Sequence, residues 1–141
     1  MKLIECVPNF SEGRRQEVMD AIVNSMKESA NVIILDVEAD PSHNRMVVTM
    51  VGEPQQVLSA MKNSARKAVE LIDLNQHQGE HPRIGAVDVV PFVPLFNATM
   101  QECNELALEF GQWMWDELKV PVYLYAESAR MPERKRLPNI R

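Results

Sequence analysis

The sequence predicts an α+β or α/β fold built on a single mixed β-sheet, with helices packed mainly on one face. Three observations lead there. Short β-prone segments alternate with longer stretches whose apolar residues recur at helical steps. Two of the strand segments are separated only by the turn Pro41-Ser42-His43-Asn44, which makes them a hairpin. The resulting order, β-α-β-β-α-β-α-β, begins with a ferredoxin-like βαββαβ core and adds one further αβ unit.

Each element has its own signal. Residues 2–7 alternate well enough for a first strand, and Pro8-Asn9-Phe10-Ser11-Glu12-Gly13 reads as a turn-rich loop. Over residues 14–28, Val18, Ala21, Ile22 and Met26 form one apolar stripe and predict an amphipathic helix. Residues 31–40 and 45–51 are the hairpin strands. Pro54 suits the first turn of a second helix, whose stripe of Val57, Met61, Ala65, Ala68 and Ile72 ends before Gly79. Residues 86–93 read as a strand. Thr99 and Glu102 then form a capping box, and the stripe from Cys103 through Phe110 and Met114 to Leu118 continues the helix. Residues 120–125 complete the pattern as a last strand. Trp113 and Trp115 cannot both face one core, so one of them is expected to cover another surface.

At 141 residues, with 45% hydrophobic and 25% charged positions, the chain suits one globular domain over residues 1–141 and not a disordered segment. The net charge of −5 argues against nonspecific nucleic-acid binding, although the tail carries Arg130, Arg134, Lys135, Arg136 and Arg141. No apolar run suits a membrane span or a secretory leader, so a cytoplasmic protein without membrane partners is expected. Cys6 and Cys103 form no CxxC pair and read as buried thiols.

The chemistry concentrates in Gly79-Glu80-His81-Pro82-Arg83-Ile84-Gly85. Pro82 pushes His81 out of the helical region, and a histidine held on a loop beside a strand suits proton transfer near neutral pH. A structural histidine satisfied by a backbone carbonyl fits the same residues. On the strand 31–40, period-two geometry gathers Asp36, Glu38 and Asp40 on one face and leaves Ile33, Leu35, Val37 and Ala39 on the other. Arg45 opens the next strand across the hairpin, which predicts either an ordinary ion pair or a site for a ligand bearing both signs of charge. His43, His77 and His81 raise the question of a metal. Zinc-type spacing of His77 and His81 needs a helix that Gly79 and Pro82 oppose, so no metal is expected.

Taken in order, Glu5-Cys6-Val7-Pro8-Asn9-Phe10-Ser11-Glu12-Gly13, the segment 35–45, the segment 79–88 and Val120-Pro121-Val122-Tyr123-Leu124-Tyr125 resemble the N-terminal subdomain of glutamate formiminotransferase. The resemblance implies transfer of a formimino group from N-formimino-L-glutamate to tetrahydrofolate, giving 5-formimidoyltetrahydrofolate and glutamate in histidine degradation. Tetrahydrofolate would be a co-substrate and His81 the catalytic acid/base. It also implies a partner, either a second subdomain that residues 1–141 do not include or another copy in a homo-oligomer, with substrate bound between lobes. In that reading Glu38 and Asp40 orient the cationic formimino group, Arg45 and Arg83 grip carboxylates, and Asn9 supplies a positioning hydrogen bond. The family commonly has aspartate where Glu38 stands. The alternatives are a non-catalytic binding module, a formimidoyltransferase using a glycine donor, and a metal-dependent hydrolase.

Overall fold

A computed structural model of the chain describes residues 1–28, 30–72, 86–87 and 90–120. Strands β1 (Leu3–Cys6) and β2 (Asn9–Phe10) precede helix α1 (Gln16–Glu28). Strands β3 (Val32–Asp40) and β4 (Arg45–Gly52), helix α2 (Pro54–Leu71), strand β5 (Phe92–Phe96) and helix α3 (Met100–Trp113) follow. A π-helical turn, Met114–Leu118, extends α3 and is closed by Lys119 in the left-handed conformation, φ 56°.

β4 is the centre of the sheet. On one side it pairs with β3, and on the other with β1 through Ile4↔Gly52 and Cys6↔Met50, then with β2 through Asn9↔Val47 and Phe10↔Met46. β1 and β2 are thus one strand in continuous register, interrupted at Val7-Pro8. Proline has no N–H to give the ladder. At the interruption Val7 turns its amide to the Pro91 carbonyl at 3.2 Å, while the Pro8 carbonyl accepts from the Val48 amide at 3.1 Å. Asn9 and Phe10, expected in a loop, are therefore sheet residues. β5 lies along the far side of β1, so the strands run β3, β4, β1/β2, β5. That is the ferredoxin-like order, and every pairing among the described strands is antiparallel where a mixed sheet was expected.

The helices pack on one face, as expected. Met46, Val48 and Met50 of β4 and Ile4 and Cys6 of β1 are fully buried against Val18, Ile22 and Met26 of α1, Val57, Met61 and Ala65 of α2, and Cys103 and Phe110 of α3. Large-to-small changes at such sites cost about 2–5 kcal/mol. Alternation then leaves Arg45, Val47 and Thr49 on the opposite face, which the helices do not cover.

Several boundaries differ from the sequence expectation for local reasons. α1 starts at Gln16 because the Glu12 carboxylate takes the amides of Arg14 and Arg15, making them its cap and not its first turn. In β3 the register shifts between Ile34 and Asp36, a bulge at Leu35. The bulge moves Ile33, paired with Val51, onto the carboxylate face and turns Ile34 toward the core. Part of the strand expected over 86–93 lies outside the described residues; among those described, β5 runs Phe92–Phe96 and Val87 makes an isolated bridge to Phe10. Valine-rich composition marked the region as extended, but pairing with β1 decides which residues enter the ladder.

α2 and α3 begin where predicted. Thr99 Oγ1 accepts from the Glu102 amide at 3.1 Å, and Glu102 Oε1 accepts from the Thr99 amide at 2.9 Å. Trp113 stacks on Phe110 with ring centroids 6.1 Å apart, whereas Trp115 is half exposed. Residues 121–125 of the last expected strand and the basic tail lie outside the described residues. No helix among the described residues is long and apolar enough to cross a membrane.

Candidate functional site

The ladder decides which polar side chains share a surface. Asn9 and Glu38 both pair with Val47, from opposite sides of β4, so these residues form one row on the face away from the helices. The next row in that direction is Asp40 opposite Arg45. Directly opposed residues lie roughly 4.5–5.5 Å apart at Cβ, and successive same-face rows about 7 Å, so the Asn9, Glu38, Asp40 and Arg45 side chains lie within reach of one small ligand. Asn9 is half-buried, its Nδ2 donating to the Val7 carbonyl at 3.3 Å, while Glu38, Asp40 and Arg45 are exposed. His81 and Arg83 lie outside the described residues, as does His77.

The expected ion pair across the hairpin takes another form. His43, not Arg45, meets the Asp40 carboxylate: its ring Nδ1 lies 2.7 Å from Oδ2 and its amide donates to Oδ1 at 3.2 Å. Those two hydrogen bonds, the ring contact foremost, hold the Asp40 carboxyl below the usual range. The arrangement leaves the Arg45 guanidinium available for an anionic group on the same face. From sequence His43 is placed in the hairpin turn and weighed for a metal that is not expected, with no partner assigned to it. Its spacing from Asp40 across a proline turn was the signal that it caps the turn's carboxylate. No group of three or more His, Cys, Asp or Glu side chains among the described residues could hold a metal ion.

The loop after β2 holds this hairpin in place. The Gly13 amide donates to Asn44 Oδ1 at 2.8 Å, Arg14 Nε donates to the Pro41 carbonyl at 2.7 Å, and Asn44 takes the left-handed conformation, φ 53°. Asparagine tolerates that conformation better than most residues. At the centre of the loop is Glu12, only 1% exposed. Burial pushes its carboxyl up, but the Arg15 amide, the Arg15 guanidinium and the Arg14 amide outweigh that and hold it below the ordinary range. Glu12 and Asn44 were quoted or passed over in the sequence without a role. A carboxylate inside a glycine-terminated loop gives no sign of burial until its partners are known.

The profile of the formiminotransferase domain, N-terminal subdomain, matches residues 3–141. The chain belongs to this family. The formimidoyltransferase-cyclodeaminase of Rattus norvegicus is 52% identical to the chain over 140 residues, covering 99% of this chain and 26% of that protein. The glutamate formimidoyltransferase of Thermoplasma acidophilum is 48% identical over 141 residues, covering 100% of this chain and 46% of the relative. That of Streptococcus pyogenes serotype M1 is 45% identical over 140 residues, covering 99% and 47%. The chain thus spans between a quarter and a half of these relatives' lengths. The formiminotransferase match takes in both polar rows of the open face, the loop around Glu12 and the His81 motif.

Proposed function

We propose that this chain is the acid/base lobe of a glutamate formimidoyltransferase, which moves a formimino group from N-formimino-L-glutamate to N5 of tetrahydrofolate. The observation that carries the reading is the open face itself: an amide, two carboxylates and an uncommitted arginine in adjacent rows, in a chain 48% identical to a glutamate formimidoyltransferase. The protonated formimino group is an amidinium, which Glu38 and Asp40 suit, and Arg45 with Arg83 suits the carboxylates of the glutamate portion. Asn9 orients the group through its side-chain amide.

N5 attacks the amidinium carbon to give a tetrahedral centre. His81 accepts the N5 proton and returns one to the glutamate nitrogen, whose bond to that carbon then breaks, leaving glutamate and 5-formimidoyltetrahydrofolate. The folate is a co-substrate. A second subdomain supplies the other wall of the groove, consistent with the greater length of the relatives. The cytoplasm is the compartment we assign, in keeping with two free, buried thiols.

The test is formimino transfer by this chain joined to a second subdomain, as wild type and as His81→Ala, with formiminoglutamate and formiminoglycine as alternative donors. Loss of about a hundredfold or more in turnover is expected for the variant, with the glutamate donor preferred. Unchanged turnover would overturn the role of His81, and preference for the glycine donor would overturn the substrate.

A further inference from the structure

The open face of the sheet is divided along its strands. Asn9, Glu38, Asp40 and Arg45 make one end polar. Toward the other end lies Glu5, which pairs with Val51 on one side and Val93 on the other, while Ile33 reaches Val51 from β3. Its neighbours along β1, Ile4 and Cys6, are fully buried against the helices, so the Glu5 side chain stands on the open face. Val51 is the buried floor of this row, and Ile33 and Val93, 63% and 36% exposed, are its sides. In the next row Leu3 pairs with Phe96, itself exposed.

A carboxylate is thus half-buried in an apolar surface, and among the described residues it makes no hydrogen bond or ion pair. An ionised carboxylate is an acceptor only, and desolvating it costs free energy that a donor must offset. Exposed apolar side chains around one polar group suit a flat ring that carries its donors on one edge. Formimino transfer to tetrahydrofolate has such a reactant. The pyrimidine edge of the pterin presents the N3 hydrogen and the 2-amino group side by side, two parallel donors that match the two oxygens of a carboxylate.

Position agrees with the chemistry. Glu5 is four residues from Asn9 in one register, as Val51 is from Val47, so the two rows stand about 13 Å apart along the strands. Hydrogen bonds at the two ends take up about 3 Å each. What remains is the length of a two-ring system carrying a one-carbon unit on N5. We propose that Glu5 anchors the acceptor: its carboxylate receives the N3 and 2-amino hydrogens of tetrahydrofolate, with Ile33, Val51 and Val93 against the ring, and N5 is thereby directed at the amidinium carbon held in the polar rows. This rests on the formimidoyltransferase reading.

Glu5→Gln keeps the size but turns one acceptor into a donor, which then faces a donor of the ring. For the chain joined to a second subdomain, the KM for tetrahydrofolate is expected to rise about tenfold to a hundredfold, with the KM for formiminoglutamate and the urea midpoint unchanged. An acceptor analogue without the 2-amino group separates anchoring from a merely structural role. The wild type is expected to use it about tenfold or more less efficiently than tetrahydrofolate, and the variant to lose most of that preference. An unchanged KM for tetrahydrofolate would overturn the proposal, as would an undiminished preference in the variant. A rise in both KM values with a lowered urea midpoint would also overturn it, making Glu5 an ion-pair partner of the second subdomain instead. If the wild-type unit transfers no formimino group, the functional reading fails, and the proposal with it. A wild type that is active beside an unaffected variant isolates failure of the proposal alone.

Discussion

Gly13 lies directly against the backbone of Arg45: a β-carbon at position 13 would sit 2.5 Å from both the nitrogen and the oxygen of Arg45, and 2.7 Å from the Asp40 carbonyl oxygen. All three atoms are main chain, so no side chain can swing aside. Gly13→Ala is therefore expected to destabilise the fold by about 2–3 kcal/mol, or to displace the hairpin carrying Asp40 and Arg45. Urea unfolding monitored by circular dichroism measures the first effect, and cross-strand NMR contacts between Asp40 and Arg45 the second. A variant as stable as the wild type, with the same contacts, contradicts the close approach.

The buried carboxylate of Glu12 should make the acid limb of stability steeper. Its carboxyl lies below the ordinary value of 4.5 in the folded chain, so as pH falls the unfolded chain takes up a proton first. The stabilisation from Glu12 is thus complete above about pH 5 and is lost as pH drops from there through the folded value. Glu12→Gln has no such group to titrate, and its unfolding free energy should vary less between about pH 5 and pH 3. Urea midpoints across that range give the comparison, and parallel curves would refute it.

Asp40 and His43 make a second titration test, at the exposed hairpin tip. The His43 ring is the main cause of the lowered Asp40 carboxyl, followed by the His43 amide, which a substitution retains. In His43→Ala the Asp40 carboxyl should titrate at higher pH than in the wild type. Carboxyl carbon NMR reads this directly. No upward movement would mean that the ring contact is not what holds the acid ionised.

The cysteines should be inert while the chain is folded. Cys6 and Cys103 are fully buried. Burial raises the Cys6 thiol well above its ordinary value and pushes Cys103 up to about 11, with Glu102 adding to the latter. Alkylation by iodoacetamide at pH 8 should be slow for each in the native chain and rapid in urea. Fast labelling of either thiol under native conditions would show that the core around it opens readily.

Much of the scaffold was legible because it depends on local pattern. Pro54, the Thr99-Glu102 capping box and the apolar stripes located the helices, and the alternation along residues 31–40 gathered Asp36, Glu38 and Asp40 on one face. The placing of Glu38 and Asp40 on one face, with Arg45 across the hairpin, followed from the same alternation, whereas Asn9, expected in a loop, joins their row only through its pairing with Val47. What stayed hidden depends on partners distant in sequence. The bulge that moves Ile33 to the carboxylate face arises from pairing with β4, and the choice of His43 over Arg45 as partner of Asp40 arises from the shape of a turn. The burial of Glu12 shows only when its loop is folded, with Arg15 reaching Leu71 and Ser11 reaching Ala86.

The single register shared by β1 and β2 makes this part of the chain count in twos. Ile4, Cys6 and Phe10 face the helices, and Asn9 faces outward, because each keeps its parity against β4 across the interruption at Val7 and Pro8. Substitution there alters one contact. Loss or gain of one residue between Cys6 and Asn9, with pairing preserved, would instead turn Phe10 outward and carry Asn9 into the core. Over evolutionary time the stretch can change its letters far more readily than its length.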